Sequence, residues 1–247
     1  MDPFRLSHSK IQAFFLCRKQ YWFRYLSREP RPPAVPSAPG IVGTAVHRAM
    51  KALCETDDSA AAARELDTYL RMPAHEVAGP GTEPYNEAFD LLLAGCDAHQ
   101  TLMEHSQDRY AELSATVLWR HGGVSLRARI DRADRIDDGR WVIVDWKTGS
   151  FDDDDTTDQQ LDIGHLALRT QRRLARHETV RAIAWNLRTG HQRIRELTRD
   201  DAAGMLDSLS ALARRMQEVT EFPAMPNPLC RYCEWLPGCP EGQDAVG

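Results

Sequence analysis

Long apolar runs are missing: none approaches the roughly 18 residues of a membrane span, and no signal peptide opens the 247-residue chain. A cytoplasmic protein with no membrane partner is the expectation. Internal repeats and low-complexity tails are absent too, which sets aside solenoids and disordered arms. An excess of positive charge is also lacking. The net charge of −5 does not by itself suggest nucleic acid, so any basic track must be a local feature. Cysteine is scarce, six in all, and in a reducing compartment these argue for metal or catalysis rather than disulfides. What is present, 42% hydrophobic and 27% charged residues, suits a globular chain that buries a core as one large domain or two small ones.

The densest chemistry lies between Arg127 and Gly149. Residues 127–136 and 140–147 alternate polar with apolar or carry β-branched residues, so both read as strands. Asp137-Asp138-Gly139 between them is turn chemistry, with Gly139 able to take a positive φ. Side chains two apart share a strand face, so Asp145 and Lys147 point together while Val144 and Trp146 point away. A three-residue loop closed by a glycine bulge pairs Ile136 with Arg140, and that register sets Asp131 opposite Asp145. Two carboxylates about 5 Å apart, with a lysine one step along, suit a hard divalent cation. Solvated charge is the plainer reading, but the apolar run from Trp141 to Val144 marks a buried strand, where unpaired carboxylates are costly.

A strand ending Asp145-Trp146-Lys147-Thr148-Gly149, preceded by one carrying Arg129-Ile130-Asp131-Arg132, resembles the PD-(D/E)XK nuclease superfamily and, within it, the RecB-family exonuclease branch. The resemblance implies an α/β fold, a restriction-endonuclease-like core with a central mixed β-sheet flanked by helices. It also implies further site residues. Gly43 and His47 match a Gly-x-x-x-His helix start whose histidine reaches the metal; on its own, a helix histidine reads as packed or surface. Gln160 matches the glutamine of a Gln-x-x-x-Tyr helix, but Gly164 stands in the tyrosine's place, with His165 beside it as a candidate substitute. Glu112 falls where members carry an acidic residue at the edge of the site, and a plain surface carboxylate is an equal reading. The implied catalytic set is Asp131, Asp145, Lys147 and Gln160, with His47, Asp131, Asp145 and the Trp146 carbonyl holding Mg²⁺ or Mn²⁺.

Elsewhere, residues 6–26 read as one amphipathic helix, capped by Ser7 and stapled by Leu6 and Ile11. Residues 27–40, holding five prolines, read as loop, with a helix opening at Gly43-Thr44. Residues 55–110 read as a helical insertion; Cys54 just before it, and Cys96, His99 and His105 within it, read as packing or surface residues. A first strand is expected over 112–120, turned by His121-Gly122-Gly123, and Asp152–Asp155 as a solvated acidic loop. A helix from Gln159 to Arg176 would set Arg169, Arg172, Arg173 and Arg176 on one face, either solvated or tracking phosphates. A hairpin about Thr189-Gly190 and a last helix capped by Asp200 or Asp201 complete the core.

Near the end of the chain, Cys230, Cys233 and Cys239 form Cys-x2-Cys-x5-Cys in a Gly/Pro-bounded loop, a spacing that binds Zn²⁺ or an iron–sulfur cluster. A fourth ligand is needed, and Cys17 is the candidate. With the run Phe15-Leu16-Cys17-Arg18-Lys19-Gln20-Tyr21, this arrangement resembles the 4Fe–4S module of AddB and of CRISPR-adaptation nucleases. The resemblance favours the cluster, while ligand softness alone leaves zinc open. The implied organisation is one nuclease domain over 1–247: an iron–sulfur clamp from 1–26 and 222–247, a helical insertion at 55–110 and a catalytic core at 111–220. The implied function is a metal-dependent DNA exonuclease of repair, recombination or phage DNA processing. The alternatives are a CRISPR-adaptation nuclease trimming spacer precursors and a decayed iron–sulfur DNA-binding module. DNA ends, including single-stranded ones, are the implied substrate, with a helicase or a CRISPR integrase as partner.

Overall fold

The computed structural model describes residues 3–32, 36–119, 123–136, 139–149 and 155–247. The chain forms two compact units, one of Met1–Val35, Leu118–Leu126 and Leu206–Gly247, the other of Pro36–Val117 and Arg127–Met205. Among the described residues no helix is long and apolar enough to cross a membrane. The turn and loop readings at 121–122, 137–138 and 152–154 lie outside the described residues.

In the first unit, the single helix expected over 6–26 is two helices. β1 (Phe4–Leu6) pairs in parallel with Val124–Leu126, and then α1 (His8–Leu16) and α2 (Arg18–Tyr25) follow. Ser7 does cap α1, accepting from the Lys10 amide at 3.2 Å, and Leu6 and Ile11 are both buried as a staple requires. The helix breaks because Cys17 is extended, at φ −160° and ψ 116°, and serves as N-cap of α2. Residues after Phe222 dock on α2. Tyr21, fully buried, lies between Phe14 and Phe222, and Phe23 stacks on Trp235 at 5.6 Å. Glu234 takes both Arg24 and Arg31, and Lys19 pairs with Glu241.

The second unit contains α3 (Ala38–Thr56), α4 (Ser59–Leu70), α5 (Glu83–Met103), most of β2 (Ser106–Trp119) and of β3 (Val124–Ile136), β4 (Arg140–Lys147), α6 (Asp155–Gln171), β5 (Thr179–Asn186) and β6 (Gln192–Leu197), with α7 (Arg199–Glu218) beginning in it. Its sheet is mixed: β2 pairs with β3, β3 runs antiparallel to β4, β4 parallel to β5, and β5 antiparallel to β6. Helices flank it, giving the expected α/β architecture. β4 reads as a continuous apolar run because both its faces are covered. Val142, Val144 and Trp146 pack with α3, α4 and α5, whereas Trp141 and Ile143 pack with Leu161 and Leu168 of α6. Asp145 and Lys147 follow the second parity and emerge on the α6 side.

Several boundaries differ from expectation; α6 begins at Asp155, the last residue of the stretch read as an acidic loop, rather than at Gln159. α3 starts at Ala38, where the Ser37 hydroxyl accepts from the Gly40 amide, so Gly43 lies inside the helix. β2 starts at Ser106, inside the stretch read as insertion. α6 stops at Gln171, because Arg173 takes the left-handed conformation (φ 52°) usually filled by glycine. The four-arginine helix face therefore does not exist. Arg169 is buried, donating to His165 and to the carbonyls of Ala175 and Glu178, and Arg172 lies 3.8 Å above the Tyr110 ring.

One polar chain crosses the α5 side of the sheet. Arg132 and Asp134, both about 1% exposed, pair at 2.7 Å. Arg132 donates to His99 Nδ1 at 2.8 Å, so His99 Nε2 carries the proton and donates to Asp57, which Arg109 also holds. His99 is thus a linking residue rather than simple packing, and burial pulls its pKa below the ordinary value.

Candidate functional site

β3 and β4 keep the register counted from the turn, Arg135 opposite Trp141 through Arg132 opposite Val144. The ladder stops one step before Asp131, and the strand changes phase there. Ile130 and Ala133 share the α6-side core, an odd separation that a regular strand would place on opposite faces. Such irregularity is frequent next to active sites, where it re-aims a side chain. Asp131 reaches across to accept from the Trp146 amide at 2.9 Å. It meets His47 Nδ1 at 3.3 Å.

Asp145 is held from two sides. Lys147 Nζ lies 2.7 Å from its Oδ2, and Gln160 of α6 donates to its Oδ1. The Gln160 carbonyl oxygen in turn accepts from Lys147 Nζ at 2.7 Å. Two acceptors therefore face Lys147 Nζ. Burial, then the Asp131 charge, pushes the Asp145 carboxyl up to about 6, against the pull of Lys147. Burial works to lower His47, but the hydrogen bond and charge of Asp131 outweigh it and hold the imidazole above its ordinary value. His47, Asp131, Asp145, Lys147 and Gln160 all line one open cleft of about 620 Å³, with Arg129 at its edge.

The backbone around this cleft is tightly fitted. A Cβ on Gly43 would stand 3.1 Å from Thr148 Oγ1, so glycine lets α3 approach the end of β4. Asn186, buried at the end of β5, donates to the Gly149 carbonyl and accepts from the amides of Arg188 and Thr189. The Leu187 amide binds the Lys147 carbonyl at 2.9 Å. Asn186 was not singled out from sequence; only its position directly across from Lys147 in a parallel pair identifies it.

Two candidates fall elsewhere. His165 is fully buried, accepts from Arg169 at 3.1 Å, and is lowered to about 4 by burial and then by the Arg169 charge. It does not line the cleft and cannot stand in for the missing tyrosine. Gly164 packs where a Cβ would meet Ile143 at 3.1 Å, so the position is closed against the sheet. Glu112 pairs with Arg129 rather than reaching the carboxylates.

A pH effect follows from His165. Its folded pKa is depressed, so its contribution is fully present above the unfolded value of about 6.5 and is lost as pH falls towards 4. His165→Gln keeps an acceptor for Arg169 but cannot take a proton. Urea titrations should show the wild type losing about 3 kcal/mol relative to this variant between pH 7 and pH 4. A pH-independent difference would contradict the neutral buried imidazole.

In the first unit, Cys17, Cys230, Cys233 and Cys239 line one small cavity of about 40 Å³. Each sulfur has a polar neighbour: the amides of Met225 and Asn227 donate to Cys17 and Cys230, Gln20 donates to Cys233, and Cys239 donates to Glu241. Among the described residues, no three His, Cys, Asp or Glu side chains already converge in a metal-binding group, at the cysteines or in the cleft. In the cleft the carboxylates are engaged by Lys147, Gln160, His47 and the Trp146 amide instead.

A mixed sheet with Asp-x-Lys on a central strand and a second aspartate beside it defines a nuclease-type core. The sequence matches the PD-(D/E)XK nuclease superfamily over residues 5–240, and the chain belongs to that superfamily. No curated protein matches it. Among solved structures it is similar to a "Putative exonuclease" from Eubacterium rectale, at 13% identity and a TM-score of 0.56, covering 92% of this chain and 87% of that one. It is also aligned with SSO0001 at 16% identity and a TM-score of 0.38, over 93% of this chain and 96% of that one.

Proposed function

We propose that the cleft is the active site of a metal-dependent DNA exonuclease of the RecB-like type, acting at DNA ends in the cytoplasm in repair, recombination or phage DNA processing. The observation that carries this reading is the meeting of β3, β4, α3 and α6 residues in one cleft, in the superfamily's motif order. The Eubacterium rectale neighbour shares the fold and bears an exonuclease name. A decayed binding module is disfavoured, since aspartate, histidine and lysine all remain in the cleft.

The donor set fits Mg²⁺ or Mn²⁺: hard carboxylates of Asp131 and Asp145, one imidazole of His47, and the Trp146 carbonyl. Asp145 and His47 are both raised above their ordinary values, and a bound cation would relieve both, since it favours ionised carboxylate and neutral imidazole. When bound, the cation supplies activation of water and offsets charge on the scissile phosphate. Lys147, held by Asp145 and Gln160, orients or deprotonates the attacking water, or stabilises negative charge developing on phosphoryl oxygen. Gln160 keeps both Lys147 and Asp145 in position.

The four cysteines are proposed to hold one 4Fe–4S cluster. Four soft sulfurs around one cavity, with N–H donors directed at three of them, fit a cluster. Four thiolates leave no open coordination position, so its role is structural. It would close a loop of some 200 residues, comparable to a long-loop cross-link worth about 4–5 kcal/mol. Anaerobically purified protein should be brown, with about four irons and four sulfides per chain. Cys17→Ala should lose iron and lower the melting temperature of the first unit. Colourless protein with one zinc would overturn the cluster but keep the clamp, and full iron in Cys17→Ala would remove Cys17 from the ligands.

A further inference from the structure

The arginine face expected on α6 does not form, and the sheet offers a different one. Along β3 the burial alternates cleanly from Leu126 to Ile130: Leu126, Ala128 and Ile130 are buried, Arg127 and Arg129 exposed. Arg127 and Arg129 therefore share a strand face, about 6.7 Å apart along the strand. Arg129 lines the cleft that holds Asp131, so Arg127 lies one pleat further from the carboxylates.

Their charges are available. Among the described residues no carboxylate pairs with Arg127, and Arg129 has a side chain 60% exposed. The partner of Arg129 is Glu112, whose backbone takes the left-handed conformation at φ 48° within β2. A non-glycine residue with positive φ inside a strand is uncommon and marks a local kink in the ladder. An exposed ion pair contributes little, so phosphate can compete for Arg129 while Glu112 keeps its side chain extended. Three other sheet arginines differ: Arg132 is buried, and Arg193 and Arg195 are paired with Asp158 and Asp162, while exposed Arg135 and Arg181 do not line the cleft.

We propose that Arg127 and Arg129 form a phosphate-binding ladder that leads the nucleic-acid strand into the cleft, with Glu112 as the positioning residue for Arg129. Adjacent phosphates of one strand are separated around the helix as well as by the rise of about 3.4 Å, so a spacing of about 6.7 Å is of the order of that between neighbouring phosphates. Guanidinium forks suit phosphate oxygens, and contacts of this type position the chain without reading sequence. The ladder rests on the nuclease reading of the cleft.

Fluorescence anisotropy with labelled oligothymidine in EDTA, over a salt series, tests the ladder without cleavage. Loss of two phosphate contacts in the Arg127→Gln/Arg129→Gln double variant should flatten the plot of log affinity against log salt by about 1.4, the single-strand value for two charges. Arg127→Lys/Arg129→Lys should restore the slope, since counterion release counts charge. In cleavage assays the Gln variant should raise the DNA concentration for half-maximal rate more than it lowers the maximum. An unchanged slope, in a Gln variant that melts like the wild type, would overturn the ladder. Wild type that binds DNA with the expected slope but never cleaves with Mg²⁺ or Mn²⁺ would leave the ladder standing and bring down the nuclease reading instead.

Discussion

Asp145→Asn and Lys147→Ala should each lower DNA cleavage by about a thousandfold or more, which corresponds to several kcal/mol of transition-state stabilisation. Both side chains meet at 2.7 Å in the cleft, and neither contributes to the apolar cores on the two sheet faces. The loss should fall on the chemical step, read as the maximal rate in single-turnover digestion. Stability should move the other way for Asp145→Asn. Burial and the Asp131 charge displace this carboxyl up to about 6, which is unfavourable at neutral pH in the absence of metal. The Asn variant should therefore melt no lower than wild type in metal-free buffer. A variant that melts normally and digests DNA near the wild-type rate would remove these residues from the chemistry.

The second large effect lies away from the cleft. Asp134→Ala should destabilise the second unit by about 3–5 kcal/mol, because it strands the buried Arg132 guanidinium. His99 cannot compensate, since its Nδ1 is an acceptor whose proton sits on Nε2 facing Asp57. Replacing both members, as Arg132→Met with Asp134→Leu, should recover most of the loss, because an apolar pair needs no desolvation. Asp108→Ala, which removes the partner of exposed Arg135, should cost under about 1 kcal/mol. Chemical unfolding of the four proteins separates these outcomes. A single-variant cost no larger than that of Asp108→Ala would show that the pair is not carrying the load its burial implies.

The strands that carry the candidate site were legible because two-residue periodicity and one turn fix a register by counting. Asp131, Asp145 and Lys147 needed only the position of Gly139, which does take a positive φ of 73°. What counting missed was the change of phase at Asp131, since no residue type there announces it. His47 and Gln160 came from family resemblance, because a lone histidine or glutamine on a helix carries no periodic signal. The Arg169–Arg176 face failed for a local reason: Arg173 ends α6 in a conformation that sequence patterns associate with glycine. The network through His99 was invisible because a charged strand residue next to apolar ones reads as surface until the helix above it is in place. At Cys17 the opposite held. The need for a fourth ligand and the family resemblance suggested it, but the helix break at Cys17 has no proline or glycine to mark it.

The most direct test of the account is digestion of end-labelled linear DNA, single- and double-stranded and labelled at either end, beside a covalently closed circle, with Mg²⁺ or Mn²⁺. The account predicts metal-dependent shortening of linear DNA that EDTA stops and Asp145→Asn abolishes, with the closed circle left intact. Intact linear DNA under every metal condition would contradict the nuclease assignment, and cutting of the closed circle would contradict action at ends.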